Sequence, residues 1–592
     1  MENKTSTWNC LGNRAWLAAI LIQLCLFSLL IRVVYIESVY GDQLRERASI
    51  AQPEKDEVEI KRGKIVDRNG EILAINRNLI SVWADPSFLK ISPHKAARQL
   101  APIVGKSELT LIEQLSEKNK KFVWLQRNIP YSQLKSIRSM TQKIQGVNFQ
   151  LNSKRVYPNG RLACHVVGIT SFDGHGIDGI ERQYDSYLLP ASQSDTHIKD
   201  RAESIDNSDV GISPIDFDYP LSSKPLIQGH TVELTIDRYL QHLTEQVLAD
   251  GCQKWKAKSG TAIIMKPKTG EILAMANYPS YDLNQYADSP EAYKRNIAMW
   301  MQYEPGSVFK IVTACGVINE KIASAETTEY CEMGAYQLPN GHVIKDVRPN
   351  GWLSLSEIIQ KSSNIGITKT AEKLGHDSIS SYVEAFGFGR KTGIDLPFER
   401  KGSLRGLRVW DEYAKATVPF GQGISVTPLQ MLNSINTIAT KGVLIKPNIV
   451  GGILTDGFVV GEVKRFHPCP IRRVMSPETA SKLTKILVKV TEQGSGKNAQ
   501  VDGYQVAGKT GTSQKAVANQ GYVKGKVVVS FAGFLPADDP LISVIVVIDE
   551  PLGAPLSTEV AAPMFQEIAG QSMNYMSQKY NLTKEVELAV HR

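Results

Sequence analysis

Three short groups of residues place hydroxyl, amide and amino side chains at spacings that could support nucleophilic chemistry. They are Ser307-x-x-Lys310, Ser362-x-Asn364 and Lys509-Thr510-Gly511-Thr512. Each pattern is short enough to recur, so a single match carries little weight. The same patterns also begin at Ser87, Ser92 and Ser132, at Ser434 and Ser572, and at Lys268 and Lys391. Order along the chain and local context must therefore select the relevant copies.

Ser307 is the candidate nucleophile and Lys310 its candidate general base. Glu304-Pro305-Gly306 predicts a turn that delivers Ser307 to the start of a helix, where residues i and i+3 share one face. A serine hydroxyl needs such a base, but a lysine with an ordinary pKa of ~10.4 is neutral in only about one molecule in 2,500 at pH 7. Burial and a second cation lower a lysine pKa, and Lys509 is the candidate for that cation.

The other two groups complete the predicted site. Ser362 is expected to relay protons with Lys310, although Ser362-Ser363-Asn364 would also suit a helix cap or a turn. The strand predicted around Lys509 carries glycines that allow close approach of its backbone. Lys509 and the hydroxyls of Thr510 and Thr512 suit a carboxylate, and the backbone N–H groups of Ser307 and Thr512 are expected to form an oxyanion hole.

The order Ser-x-x-Lys, Ser-x-Asn, Lys-Thr-Gly is typical of serine acyltransferases that act on β-lactams and D-alanyl peptides. The other copies have simpler explanations. The Lys-Thr-Gly at Lys268 precedes Ser307 and is typical of a hairpin turn, and the copy at Lys391 lies in a predicted loop. The Ser-x-x-Lys at Ser92 contains Pro93, which is poorly suited to a helix interior.

An apolar segment near the N-terminus predicts a membrane anchor. Residues 15–31 carry no charge, and the apolar character continues past Arg32 to Ile36, while a helix needs about 20 residues to cross the hydrocarbon core. We therefore expect a transmembrane helix at 15–36, a cytoplasmic tail at 1–14 and an extracytoplasmic remainder. A cleaved signal peptide is the alternative, but its apolar stretch would be shorter and would end in a small-x-small site.

The exported part is long enough for several domains. We expect a stalk at 37–59, a mixed α/β pedestal at 60–225, a catalytic domain at 226–577 and a C-terminal tail at 578–592. The pedestal should open with a hairpin over Arg62–Ala74, turned by a type I′ turn at Asn69-Gly70. Further predicted elements are a strand at 231–237, a helix at 238–251, a hairpin at 260–276, a polar loop at 192–220, strands at 527–535 and 541–548, and a helix from about Ala561.

Composition excludes two other classes of function. The net charge of +8 is spread along the chain without a dense Lys/Arg block, so no nucleic-acid partner is expected. The seven cysteines show no metal-ligand spacing, and we expect no metal or other cofactor. Most of the cysteines should be buried small hydrophobic residues, with one disulfide as an alternative.

With these motifs in place, the sequence resembles the class B penicillin-binding proteins, and most closely their division type, penicillin-binding protein 3. The resemblance covers nearly the whole chain, from the apolar segment onward. It includes Arg62–Gly70, Gly176–Glu181, Leu234–Asp237, Arg295-Asn296, Glu304–Lys310, Lys361–Gly366, Ser425–Gln430 and Gly508–Thr512.

The resemblance implies an α+β fold, in which a penicillin-binding domain, with an antiparallel sheet sandwiched by helices, follows an anchor and a pedestal. It implies cross-linking of D-Ala-D-Ala stem peptides of peptidoglycan through a serine acyl-enzyme during septal wall synthesis, with inhibition by β-lactams. Ser307, Lys310, Ser362 and Asn364 take the catalytic roles, and Lys509–Thr512 bind substrate. A septal polytopic glycosyltransferase and other division proteins are the implied partners.

Two segments depart from the family pattern, and other functions stay open. Thr558-Glu559 stand where a Gly-Gly pair is common, and Phe420–Gly423 replaces a more usual aromatic-glycine repeat. A β-lactamase would need a water-activating glutamate, and no Glu-x-x-Leu-Asn lies between Asn364 and Lys509. A D,D-carboxypeptidase, an elongation-type transpeptidase, a β-lactam-sensing receptor and a non-enzymatic scaffold remain the alternatives.

Overall fold

The computed structural model describes residues 20–35, 38–39, 59–189, 226–404, 411–455, 461–517, 521–553 and 556–580. Residues 20–35 are helical and exposed along their whole length. No helix within the described ranges combines the length and the apolar character needed to cross a membrane. The predicted tail at 1–14, the loop at 192–220, the residues from 581 onward, nearly all of the stalk and the first part of the predicted anchor lie outside the described residues.

The described strands, in chain order, are β1 (Glu59–Lys61), β2 (Ile65–Val66), β3 (Ile72–Ala84), β4 (Val123–Pro130), β5 (Val147–Val156), β6 (Leu226–Gln228), β7 (Thr231–Leu234), β8 (Ser259–Met265), β9 (Ile272–Tyr278), β10 (Thr328–Tyr330), β11 (Ala335–Gln337), β12 (Val343–Lys345), β13 (Trp352–Ser354), β14 (Val443–Ile445), β15 (Val450–Leu454), β16 (Glu462–Arg465), β17 (Pro470–Arg473), β18 (Ala507–Val517), β19 (Gly521–Leu535) and β20 (Ile542–Asp549). The α-helices from residue 93 onward are Pro93–Val104, Glu108–Ser116, Leu134–Lys143, Cys164–Val167, Gly179–Gln183, Asp185–Leu188, Arg238–Lys254, Ile297–Trp300, Lys310–Asn319, Leu355–Lys361, Asn364–Leu374, His376–Ala385, Glu412–Thr417, Pro428–Ala439, Pro477–Gln493 and Ala561–Tyr580.

A five-stranded antiparallel sheet, in the order β18-β19-β20-β8-β9, forms the centre of the C-terminal region. Side chains alternate between the faces of a strand, and β20 is buried on both faces. Val544 and Val546 pack into one core together with Phe565 of the last helix, whereas Ile545 and Val547 belong to the other core. The sheet is therefore sandwiched by helices, which confirms the predicted penicillin-binding fold.

A second sheet draws its strands from both sides of residue 225. Its order is β16-β15-β7-β2-β3-β4, and β5 also pairs with β3. The two-residue strand β2 runs parallel to β7 and antiparallel to β3, so it joins the N-terminal strands to those that follow residue 230. Buried Glu181 braces this junction because its carboxylate accepts hydrogen bonds from Arg62 at 2.6 Å and from Arg155 at 2.7 Å.

The hairpin around Asn69-Gly70 forms, but the predicted type I′ turn is wrong. Gly70 has a φ of 84°, whereas Asn69 is not among the residues with positive φ, so only one of the two central residues has the required conformation. The cause is Asp67, whose Oδ1 accepts hydrogen bonds from the backbone N–H groups of Asn69 and Glu71. Such an aspartate-centred turn competes with the mirror-image turn.

Most other predicted elements are confirmed with shifted ends. The strand predicted at 231–237 stops at Leu234, because Asp237 caps the following helix by accepting hydrogen bonds from two backbone N–H groups. That helix runs three residues further than predicted, to Lys254. The Ser-x-x-Lys at Ser92 is a capping motif: Ser92 is the N-cap and Pro93 occupies the first turn, where proline is favoured, rather than the helix interior.

Four of the cysteines fulfil the expectation of buried hydrophobic residues, and two do not. Cys164, Cys252, Cys315 and Cys331 are buried, whereas Cys25 and Cys469 are exposed, and all six described cysteines are free thiols. The alternative of a disulfide therefore fails for the described cysteines. Cys10 lies outside the described residues.

Candidate active site

Ser307 lies in a short 3-10 helix, Gly306–Phe309, that leads directly into the helix Lys310–Asn319. The sequence predicted Ser307 at the start of an α-helix, and the structure instead places it one turn earlier, in this tighter segment. Gly306 holds the turn with a φ of 56°, and its N–H donates a 3.2 Å hydrogen bond to the carbonyl of Gly421. Ser307 is partly exposed while Lys310 is fully buried, so the hydroxyl lies at the surface of the site and the amine at its base.

The buried amino group of Lys310 is held by the Ser362–Asn364 segment. Lys310 Nζ lies 2.6 Å from the Ser362 carbonyl, 3.2 Å from the Ser362 hydroxyl and 2.9 Å from Asn364 Oδ1. Burial and the charge of Lys509 lower the Lys310 pKa well below its usual range. The structure therefore places Lys310 in the environment that a neutral, proton-accepting lysine requires.

Ser362 owes its position to an unusual backbone conformation. It ends the helix Leu355–Lys361 with φ 62° and ψ 39°, a left-handed conformation, and Ser363 then caps the helix Asn364–Leu374. A non-glycine residue in this region is uncommon and is associated with functional sites. The tripeptide therefore does both things that its sequence suggested: Ser363 caps a helix, and Ser362 lies in the candidate site.

Lys509 approaches the same hydroxyl from the edge of the C-terminal sheet. Its Nζ lies 2.9 Å from Ser362 Oγ and 3.2 Å from the Thr510 carbonyl, and burial lowers the pKa of Lys509 to about 7. Thr510 Oγ1 lies 2.7 Å from Ser495 Oγ, and Thr512 Oγ1 lies 3.3 Å from Ser557 Oγ. The strand thus presents one amine and two oriented hydroxyls.

Gly511 allows β18 to pack directly against the segment that carries Ser307. A Cβ atom at residue 511 would lie 2.6 Å from Val308 Cγ2, 2.6 Å from Ser530 Oγ and 3.0 Å from the carbonyl of Pro305. Distances below 3.0 Å require the neighbouring atoms to move. The glycine therefore sets the separation between the strand and the Ser307 turn.

The described part of the chain brings the three motifs together through Ser362, but it shows no hydrogen bond between Ser307 and Lys310. The hydrogen bonds of Lys310 instead go to the Ser362–Asn364 segment. A hydrogen bond between a nucleophile and its base is often long in a free enzyme and shortens when substrate binds. Within the described residues, no cluster of three or more His, Cys, Asp or Glu side chains could hold a metal ion.

Asp346 is a further residue of the candidate site, and no sequence pattern predicts it. Its Oδ1 accepts hydrogen bonds from the N–H groups of Asn364 at 2.6 Å and Ile365 at 3.1 Å, and its Oδ2 accepts one from the Ser363 hydroxyl at 2.6 Å. The carboxylate lies at the N-terminus of a helix, where a negative charge is favoured. No local pattern around residue 346 signals this contact, which spans 17 or more residues of chain.

Two further contacts reach the site from positions outside the motifs. The Glu304 carboxylate accepts hydrogen bonds from the Gly423 N–H at 2.9 Å and from the Tyr522 hydroxyl at 3.0 Å, and burial raises the pKa of Glu304. Thr558, one of the departures from the family pattern, donates a 3.0 Å hydrogen bond to the carbonyl of Ser495, the residue that contacts Thr510. Gly423 belongs to the other departure, Phe420–Gly423, so both segments that depart from the family pattern lie close to the candidate site.

Comparison with known proteins identifies the same architecture. The penicillin binding protein transpeptidase domain matches residues 260–570, and the penicillin-binding protein dimerisation domain matches residues 57–214. Stage V sporulation protein D of Bacillus subtilis is 32% identical over 575 residues, which cover 94% of this chain and 86% of that protein. Peptidoglycan D,D-transpeptidase FtsI of Escherichia coli is 29% identical, with 95% and 92% of the two chains covered. The crystal structure of penicillin binding protein 3 from Mycobacterium tuberculosis in complex with aztreonam superposes with a TM-score of 0.65 at 27% identity, covering 89% of this chain and 97% of that one.

Proposed function

Because the chain belongs to the penicillin-binding protein transpeptidase family, we propose that it is a peptidoglycan D,D-transpeptidase that cross-links stem peptides through an acyl-enzyme on Ser307. The observation that carries the proposal is the arrangement at Ser362, whose hydroxyl contacts the buried amino groups of both Lys310 and Lys509. This arrangement couples a candidate base to a candidate carboxylate-binding cation through one hydroxyl. A relative's name, peptidoglycan D,D-transpeptidase, supports the same reaction.

In the proposed acylation step, neutral Lys310 accepts the proton of the Ser307 hydroxyl. The Ser307 oxygen forms an ester with the carbonyl carbon of the penultimate D-alanine, and the bond to the terminal D-alanine breaks. The departing amine takes up a proton, which Lys310 passes through the Ser362 hydroxyl. Asn364 orients the Lys310 amine by accepting its hydrogen bond.

The proposed second step returns the enzyme to its starting state. The amino group of an acceptor stem peptide attacks the ester carbonyl and forms the new amide bond. The bond between the carbonyl carbon and the Ser307 oxygen breaks, and the proton that the amine loses passes to the Ser307 oxygen. Exclusion of water from the ester would favour this amine over hydrolysis. A β-lactam would acylate Ser307 by opening of its ring, and the ester would then persist.

The proposed substrate contacts follow from the side chains of β18. Protonated Lys509 attracts the terminal carboxylate of the donor peptide, and the hydroxyls of Thr510 and Thr512 donate hydrogen bonds to it. Gly511 lets the strand approach closely. The N–H groups of Ser307 and Thr512 are proposed to stabilise the oxyanion; removal of one such donor typically costs about 3–4 kcal/mol.

The remaining predictions on organisation and cellular role are part of the proposal. They are an anchor at 15–36 with a cytoplasmic tail at 1–14, a stalk at 37–59, a pedestal at 60–225, a transpeptidase domain at 226–577 and a tail at 578–592. We propose that the catalytic domain acts outside the cytoplasmic membrane in septal wall synthesis, beside a polytopic glycosyltransferase. Depletion of the protein should give filamentous cells; rounded cells would instead indicate the elongation role.

Intact mass spectrometry after incubation with a penicillin tests the proposed reaction. We expect one stable adduct of the drug's mass on the parent chain and none on Ser307→Ala. Ser132→Ala is a matched control, because Ser132 belongs to another Ser-x-x-Lys pattern and is exposed; it should retain the adduct. Drug turnover without an adduct would identify a β-lactamase. If the protein shows no adduct and no drug turnover, the result would contradict any acyl-transfer function.

A further inference from the structure

A polar cavity of about 570 Å³ lies at a place that the proposed reaction does not use. Its walls come from the β2–β3 turn, the start of the helix Arg238–Lys254 and the end of the helix Ala561–Tyr580, together with Asn159 and Leu162. This volume falls within the range of pockets that hold small ligands. Residues that the transpeptidase reaction would use do not line it.

One wall of the cavity is aromatic. The rings of Tyr239 and Tyr575 are stacked with their centroids 4.3 Å apart and their planes at 24°. Tyr239 is 47% exposed, so part of its ring is available to a ligand. Tyrosine offers a flat apolar face together with a hydroxyl, which makes it suited to ligands that are themselves apolar on one side and polar at the edges.

The other walls carry oriented polar groups. Asp237 Oδ2 accepts hydrogen bonds from Tyr575 OH and Lys579 Nζ, both at 3.1 Å, and Lys579 Nζ also lies 2.7 Å from Asn69 Oδ1. Glu71 pairs with Arg238 at 2.7 Å at the rim, where both side chains are about half exposed. The cavity therefore has fixed carboxylates, an amide and cations around its aromatic wall.

This chemistry excludes several ligand classes. The Lys579 ammonium already contacts Asn69 Oδ1 and Asp237 Oδ2, and no group of three His, Cys, Asp or Glu side chains in the described residues could hold a metal ion. Carboxylates at 67, 71 and 237 disfavour a phosphate or another strong anion. Few apolar side chains line the cavity, which disfavours a wholly hydrophobic ligand. A neutral ligand with several hydroxyl or amide groups and flat C–H faces remains.

We propose that this cavity binds the amino-sugar chain of a wall glycan, with one pyranose ring packed on Tyr239 and its hydroxyl and N-acetyl groups bonded to the polar walls. The identity of the glycan rests on the proposed function. The helix Ala561–Tyr580 has 20 residues and is therefore about 30 Å long. It begins four residues after Ser557, which contacts Thr512, and it ends at the cavity. The sugar site is thus separate from Ser307, and both can be occupied at once.

The test is a titration of the full chain with a short chain of β-linked N-acetylglucosamine units, followed by calorimetry or ligand-observed NMR. It is run on the free protein and on the protein acylated with a penicillin. We expect the same Kd in both states, no binding of an α-linked glucose chain, and a Kd about tenfold or more weaker for Tyr239→Ala. Tyr239→Phe keeps the stacked ring and should retain most of the affinity.

Glu71→Ala is a second variant that removes an exposed side chain, and it should also weaken binding of the sugar chain. Tyr239→Ala, Tyr239→Phe and Glu71→Ala should all be acylated by penicillin at the parental rate, which would establish that these variants are folded. Unchanged affinity in Tyr239→Ala, loss of binding on acylation, or no binding to the parent at millimolar sugar would each overturn the proposal. Failure of acylation would contradict the transpeptidase function instead, and the sugar titration would still report on the cavity.

Discussion

The Ser362 hydroxyl lies 2.9 Å from the Lys509 amino group. The same oxygen lies 3.2 Å from Lys310 Nζ. A hydroxyl can accept a hydrogen bond from an ammonium while donating its own hydrogen to a neutral amine. The geometry therefore fits one charged and one neutral lysine. Burial and the charge of Lys509 both lower the pKa of Lys310, which favours Lys310 as the neutral partner.

The rate of acylation should show a bell-shaped dependence on pH. In the proposed mechanism acylation needs neutral Lys310, so the rate should rise as pH increases through the lowered pKa of that lysine. The same mechanism needs protonated Lys509, whose pKa burial lowers to about 7, so the rate should fall as pH increases further. Stopped-flow measurement of kcat/KM for penicillin acylation over a range of pH tests this expectation.

A penicillin methyl ester is the matched control for that profile. The ester has no carboxylate for Lys509 to bind, so its slower acylation should lack the alkaline decline. An alkaline decline of equal size for acid and ester would contradict the role of Lys509 in binding the carboxylate.

Replacement of Asp346 by asparagine should shift the acid limb to lower pH. The Asp346 carboxylate raises the pKa of Lys310 against the stronger effects of burial and Lys509. Asparagine can still accept hydrogen bonds from the N–H groups of Asn364 and Ile365 while carrying no charge. Asp346→Ala removes both charge and contacts and should reduce acylation by roughly 10²-fold, the typical effect of displaced catalytic groups. An unshifted acid limb in Asp346→Asn would show that Asp346 acts only through structure.

Gly511→Ala should slow acylation without unfolding the protein. The added methyl would lie 2.6 Å from atoms of Val308 and Ser530, so β18 must move away from the Ser307 turn. A displacement near 1 Å can cost about 10²-fold in rate. Gly570→Ala is the matched control, because its nearest neighbour would be an ordinary 3.6 Å contact within a helix. Equal acylation rates in the two variants would exclude a positioning role for Gly511.

Glu245→Gln should stabilise the protein increasingly as pH rises. Burial raises the pKa of Glu245 from 4.5 to about 7, while Gln241 and the N–H of Ala163 contact its Oε1 at 2.7 and 2.8 Å. Between pH 4.5 and about 7, the unfolded state loses the Glu245 proton while the folded state keeps it. The parent protein therefore loses stability as pH rises through this interval. Glutamine keeps the acceptor and does not ionise.

Thermal unfolding at pH values below, between and above those two pKa values measures this effect. The Tm of Glu245→Gln relative to the parent should rise across the interval by a few degrees and then level off. Glu559→Gln, which replaces an exposed glutamate, is a suitable control. A Tm difference that is constant with pH would contradict a protonated Glu245.

The sequence predicted the parts of the site that reside in short patterns. Ser307, Lys310 and Lys509 were selected by motif order, and the glycines beside Lys509 correctly indicated a strand that packs closely against its neighbour. The β8–β9 hairpin and the strands β19 and β20 could be predicted because their apolar residues and turn residues are local. These predictions needed no knowledge of contacts distant in sequence.

The rest depends on contacts that no short pattern encodes. Asp346 reaches the Ser362–Asn364 segment across a gap of 17 to 19 residues. Ser557 meets Thr512 across 45 residues, and Tyr522 meets Glu304 across 218. The Asn69 turn was mispredicted for a local reason, because the Asp67 side chain competes with the turn type that Asn-Gly favours.

The shared sheet of β2 and β7 has a consequence for any attempt to shorten the protein. A fragment that starts at residue 226 would retain β7 but lose β2, its parallel neighbour. The newly bare edge of β7 would carry unpaired backbone groups beside the buried side chains of Val232 and Leu234, which is the arrangement that templates strand addition between molecules. Such a fragment should aggregate even with every catalytic side chain present, whereas one that begins before Lys61 should stay monodisperse.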